Sequence, residues 1–258
     1  MNLIRPYVGY GSIDTFSTIF SSNYNSLQVS FQKHFSASSL IEANYTWSKS
    51  LTNLMNGAAQ NTYNLSPEYG PSGTDDRHVF NTDFVYDLPF FESQKGFIGR
   101  VLGGWEASGI INASAGEYAT PSTTNFNDPG GLGLFVSTNS GKEVYPDQVG
   151  NPNHGAPHKV GQWYNVNAFE NVPNSEHRPG DAQRASILGP GKWSVNLTAM
   201  KNFAITEGSK IQFRIETYNL LNHTNYNNPD TDLGDGTTGQ ILSAGDSRVL
   251  QLGLKYEF

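Results

Sequence analysis

Period-two alternation of apolar and polar residues, repeated in stretches about ten to twelve residues long, predicts an all-β chain. The fold it points to is an antiparallel transmembrane β-barrel, or part of one, with about eight meandering strands. Two further observations give the same answer. Connections between the stretches are short and long by turns, and aromatic residues gather at the stretch ends.

Hydropathy alone does not reveal this. Only 36% of the 258 residues are hydrophobic, and no apolar run is long enough for a transmembrane helix. A barrel strand escapes that test because its lipid-facing and lumen-facing residues average out. The net charge of −7 excludes the basic footprint of a nucleic-acid binder. Without cysteine there is no disulfide framework and no thiolate metal site. Met1 to Pro6 lack the apolar core of a secretion signal.

In chain order, "YVGYGSIDTFSTIF" (7–20) is a weakly patterned candidate for a first strand. Then Leu27, Val29, Phe31 and Phe35 interleave with Gln28, Ser30, Gln32 and His34. Ile41, Ala43, Tyr45 and Trp47 oppose Glu42, Asn44, Thr46 and Ser48. Phe80, Phe84, Tyr86, Leu88 and Phe90 oppose Asn81, Asp83 and Asp87; Trp105, Ala107, Ile111 and Ala113 oppose Glu106, Ser108 and Asn112. Trp193 to Ile205 and Ile211 to Ile215 continue the pattern, and "RVLQLGLKYEF" closes it. One such stretch is compatible with chance; the series is not. Each matches the length a tilted strand needs to cross a bilayer, about nine to eleven residues.

The connections at "SASS" and "TEGS" are tight, and "FESQKGFIGRVLGG" is moderate. Long polar stretches lie at 52–77, 116–191 and 222–246. Membrane barrels place short turns in the periplasm and long loops outside. The strands ending at Phe35, Phe90, Ile205 and Phe258 therefore run inward. Phe35, Phe90, Phe203, Tyr256 and Phe258 then mark the periplasmic interface, and Tyr45, Trp47 and Trp193 the outer one, where amphipathic rings belong. Lys33, Lys49 and Lys201 fall on apolar faces near strand ends, within snorkelling reach of water.

No nucleophile elbow, zinc-protease, P-loop or dinucleotide motif is present, so neither enzyme activity nor a cofactor is expected. His154 and His158 are four apart, but Pro152, Gly155 and Pro157 preclude the helix that would join them on a metal. "DTDLGDG" (230–236) departs from a calcium loop in spacing, with Ile241 where an EF-hand places glutamate; an Asx-turn-rich loop is the better expectation. Glu42, Asp83, Asp87, Glu106, Arg214 and Glu216 lie on polar faces and would point into a lumen. Trp163, Tyr164 and Phe169, in the longest loop, are candidates for stacking on a ligand or for packing the loop onto itself. A soluble secreted carbohydrate-binding β-sandwich also accommodates this composition, as does a structural or adhesive outer-membrane barrel.

The stretches "SNYNSLQVSFQKHFS", "YNLSPEYGPSGTDDRHVFNTDFVYDLPF", "LGGWEASGI", "WYNVNAFE" and "LGPGKWSVNLTAMKNFAITEGSKIQFRIETYNLLNHTNYNNP" carry a resemblance. The chain resembles the C-terminal barrel portion of Oar-like TonB-dependent outer-membrane transporters, over most of its length and in family order. The resemblance implies outer-membrane lipid as surroundings and uptake of a solute as the parent protein's task. It implies a plug domain and TonB as partners through a missing N-terminal part, which makes residues 1–258 a segment of a longer protein. The ending looks like the signal read by the barrel-assembly machinery, with Leu250, Leu252, Leu254, Tyr256 and Phe258 at the matching positions.

Overall fold

A computed structural model describes residues 18–36, 38–53, 59–61, 64–91, 94–123, 129–130, 144–206 and 208–258. In chain order the elements are β1 (Ser22–His34), β2 (Leu40–Thr52), β3 (Gly70–Pro71), β4 (His78–Asp87), α1 (Gly96–Leu102) and β5 (Trp105–Ser114). They continue with β6 (Tyr118–Ala119), β7 (Asp147–Gln148), β8 (Phe169–Glu170), β9 (Ile187–Leu188), β10 (Lys192–Thr206), β11 (Ser209–Tyr218) and β12 (Val249–Glu257). The long strands form one antiparallel meander in the order β1-β2-β4-β5-β10-β11-β12, with β3 added to β2. The pairs β6–β9 and β7–β8 are small separate ladders within the connection from β5 to β10.

Register carries the alternation across the sheet. Val29, Tyr45, Phe80, Ala113 and Trp193 are successive partners in one apolar row. Tyr86, Ala107, Ala199, Ile215 and Leu252 form another. Between such rows, on the opposite face, run Ser30, Asn44, Asn81, Asn112 and Ser194. A slip of one residue would exchange the faces, so the pattern itself specifies the pairing. Gly109 shows how close the fit is on the apolar face: a Cβ there would come within 2.9 Å of the Phe84 ring, its direct cross-strand partner.

The apolar face is uncovered over most of its extent. Leu252 is 64% exposed and Leu254 74%, and Leu27, Val29 and Phe31 are exposed as well. Among the described elements, extensive contact occurs only between strands paired in a sheet. This excludes the sandwich reading, in which the same leucines and phenylalanines would be packed against a second sheet. A contiguous apolar surface of this extent is unfavourable in water, because each large side chain left exposed forgoes about 1.5–3 kcal/mol of burial. In hydrocarbon that penalty disappears.

The connections alternate as expected: short at 35–39 and 207–208, moderate at 88–104, and long at 53–77, 115–191 and 219–248. β1, β4, β10 and β12 therefore all end at one rim. Two differences from the sequence pattern stand out. The strand expected to reach Phe90 stops at Asp87, because Pro89 lacks the N–H that continued pairing needs. A short helix, α1, occupies the moderate connection; seven residues are too few for helical periodicity to register. Of the candidate first strand, residues 7–17 lie outside the described residues, and 18–20 are not in a strand. Among the described residues no pairing joins β1 to β12, so the strand order is open.

Candidate functional site: the polar face and the outer loops

The polar face gathers the charged residues picked out by the alternation. Glu42 stands directly opposite Asp83 across β2 and β4, and Asp87 directly opposite Glu106 across β4 and β5. Like charges in such positions repel, so these pairs require a wet, high-dielectric surface. Hydrogen bonds moderate the repulsion locally: the Asn44 amide donates to Glu42 at 3.1 Å, and Ser38 Oγ donates to Asp87. Farther along, Arg214 lies 3.6 Å from Glu216 and donates through Nε to Gln212 Oε1 at 2.7 Å. Gln212 in turn donates to Asn202 at 3.0 Å. All six charged candidates thus lie on one face of one sheet, in adjacent rows.

The outer loops have a core of their own. Tyr145, Tyr164, Ala168, Phe169, Ala182 and Ile187 pack together, all from the connection between β5 and β10. Tyr164 is fully buried and Phe169 nearly so, their rings edge-on at 6.1 Å. These two rings are therefore spent on packing the loop onto itself, the second of the two roles their sequence context allows. Trp163 is half-buried, donates Nε1–H to Leu188 O at 2.9 Å and meets His158 edge-on at 5.0 Å. Burial, reinforced by Asp230 and Asp232, pushes the Tyr164 hydroxyl well above its ordinary value. That hydroxyl donates to Asp230 O at 3.3 Å.

A second network ties this core to the 53–77 connection, and nothing in local spacing foretells it. Glu68 is 1% exposed; its carboxylate accepts from Gln60 N–H at 3.0 Å and from the Tyr145 hydroxyl at 2.7 Å. Gln60 donates to Gly180 O at 2.8 Å and accepts from Tyr145 N–H at 2.6 Å. Arg184 reaches Glu68 O at 2.8 Å and Thr52 O at 2.6 Å, joining the loops to the end of β2. Arg178 holds Asp147 with two bonds of 2.6 Å and contacts Glu176 at 2.7 Å. The hydrogen bonds to Asp147 and then to Glu176 raise the Arg178 guanidinium above its ordinary value. Between these groups opens a cavity of about 340 Å³, lined by Gln60, Asn61, Asn64, Glu68, Arg178 and Asp181. Partners some 77 to 120 residues apart give no signal in a window of sequence.

The remaining candidates are placed as follows. His154 lies in a turn and His158 in irregular backbone, both outside any helix. The carboxylates of the 230–236 loop cap backbone amides: Asp230 accepts from Asp232 N–H at 3.0 Å, Asp232 from Gly234 N–H at 2.8 Å, and Asp235 from Thr237 N–H at 3.0 Å. Among the described residues no group of three or more His, Asp or Glu is arranged around a metal position. Leu250, Leu252, Leu254, Tyr256 and Phe258 are all exposed on one side of the last strand, with Tyr256 and Phe258 stacked at 5.8 Å. At the outer rim, Trp193 stacks on His223 at 4.3 Å, and the Tyr45 hydroxyl is 2.8 Å from His78 Nδ1.

A long-stranded antiparallel meander with one lipid-ready face, one wet face, tight turns at one rim and large loops at the other defines a membrane barrel protein. The sequence model of a family described as an outer membrane beta barrel domain matches residues 1–251, and the chain belongs to that family. Its place is the outer membrane of a Gram-negative bacterium. No curated protein and no solved structure matches it.

Proposed function

We infer that the chain is the transport-barrel portion of a TonB-dependent receptor of the Oar-like type, lining a passage for solute uptake in the full-length protein. The observation that carries this reading is the polar face. Carboxylates in directly opposed pairs, Glu42 with Asp83 and Asp87 with Glu106, are costly on a face that serves only to close a sheet. They fit a water-filled lumen that a plug domain or a passing solute engages. The preorganised outer-loop unit, with its polar cavity, supplies a rigid mouth on which recognition residues can be held. No catalytic step and no cofactor belong to this reading. The barrel-assembly machinery is the partner for insertion, met through the exposed Leu250 to Phe258 row.

The test is made in native cells. The polypeptide is isolated from outer membranes with an antibody to residues 144–188, its N-terminus and mass are determined, and it is cross-linked to TonB. The expected product carries a plug upstream of this chain and gives a TonB cross-link. A polypeptide that inserts without a plug and yields no such cross-link supports a structural or adhesive barrel instead.

A further inference from the structure

We propose that α1 is a membrane-interface anchor: a short amphipathic helix pinned to the lipid-facing side of the sheet at the periplasmic rim and laid into the phospholipid headgroup boundary. With 100° per residue, Phe97, Ile98, Val101 and Leu102 fall within an arc of about 140°. All four are exposed, Phe97 at 84% and Ile98 at 62%. Gly96, Gly99 and Arg100 occupy the other side, where Gly99 is buried against the preceding turn at Gln94. A helix this short gains little from propensity, so something else must hold it.

The pin is Lys201. It sits in β10 on the apolar row, directly opposite Trp105 and Phe213. A lysine in that row would ordinarily face hydrocarbon or snorkel outward. Here it is fully buried, and its ammonium donates to Gly103 O and, at 3.3 Å, to Val101 O, the carbonyls at the end of α1. Trp105, also on the apolar face, donates Nε1–H to Val101 O at 3.0 Å. The same ammonium lies 4.9 Å from the Phe203 ring and 5.8 Å from that of Trp105. The snorkelling expected of Lys201 is thus replaced by helix capping, which satisfies the charge and fixes α1 over the lipid face.

Continuity decides the occupant. The exposed side chains of α1 extend the lipid-facing surface through Phe203 and Ile205, at the level where Phe90 and Phe91 are also exposed. Lys95 and Arg100 are exposed beside them, as cations suited to phosphate headgroups. Amphipathic helices with basic flanks bind such interfaces by burying their apolar side a few ångströms deep.

The absence of cysteine makes a single introduced cysteine a unique probe. Ile98→Cys, Arg100→Cys and, as an outer-loop reference, Ser175→Cys carry an environment-sensitive fluorophore. The whole chain is reconstituted in vesicles of phosphatidylethanolamine and phosphatidylglycerol. Chain-brominated lipid is expected to quench the label at 98 severalfold more than at 100 or 175, and aqueous iodide the reverse. Lys201→Met is expected to erase the difference between 98 and 100 while the label at 175 is unaffected. Equal iodide quenching at 98 and 100 in the unaltered background would place the helix in the periplasm and overturn the proposal. A label at 98 that neither quencher reaches would show a protein surface covering the helix and would overturn it equally.

Discussion

The sheet and the outer loops of this protein obey opposite rules of burial. In the long strands the large apolar side chains are exposed or half-buried, and the buried positions are polar: Ser48, Thr52, Thr82, Lys201, Gln212 and Thr217. In the connections beyond the outer rim the buried side chains include Tyr145, Tyr164, Phe169, Ile187 and Ile241, as in any water-soluble domain. The difference teaches which solvent each region is built for. The loops must make their own hydrophobic core because water surrounds them, whereas the sheet borrows its core from the bilayer.

Breaking the loop core has the largest expected effect. Phe169→Ala removes a nearly buried ring and is expected to cost the loop unit about 3–5 kcal/mol. Hydrogen exchange should rise across residues 144–188 while β10 and β11 keep their protection. If the strands lose protection to the same degree, the two regions are one cooperative unit and the contrast fails.

On the sheet, Leu252→Arg is expected to cost about 2–4 kcal/mol near the bilayer midplane. Urea unfolding in vesicles measures it. The same substitution at Gln251, next in sequence but on the polar face, should change stability far less. Equal penalties at 251 and 252 would mean that the two faces meet the same medium.

Glu68→Ala strips acceptors from Gln60 N–H and the Tyr145 hydroxyl, both buried. Each orphaned donor costs about 1–3 kcal/mol, so limited proteolysis between β5 and β10 should quicken without change in the sheet.

The smallest effect concerns Tyr164. Its hydroxyl titrates higher in the folded loop than in an unfolded chain, so the neutral form favours folding. That contribution is fully present below the unfolded value, about 10, and is lost as pH rises beyond it. Tyr164→Phe is expected to cost about 1 kcal/mol at neutral pH and to flatten this part of the alkaline loss. Loop unfolding followed by near-ultraviolet circular dichroism on both sides of that pH measures the difference between the two proteins.

Strand positions were legible because the information is local. Tyr45, Phe80, Ala113 and Trp193 each announce a face through their immediate neighbours, and pairing in register follows once every strand shows the same period. The ends were less legible: Pro89 cut β4 short, and α1 was hidden by its length. The loop network was not legible at all. Nothing near Glu68 in the sequence indicates that it meets Tyr145, and nothing near Tyr164 shows whether its ring is offered to a ligand or consumed by packing.

By itself, then, the sequence determined the two-faced strands, their direction and the division into short and long connections, since period two and turn chemistry act over a few residues. Tertiary structure alone decided that Lys201 caps α1, that Glu68 and Tyr145 join two loops, and that Tyr164 and Phe169 are core. Those outcomes depend on which distant segments share the same few ångströms, and closing such loops costs entropy that only the assembled set of contacts repays.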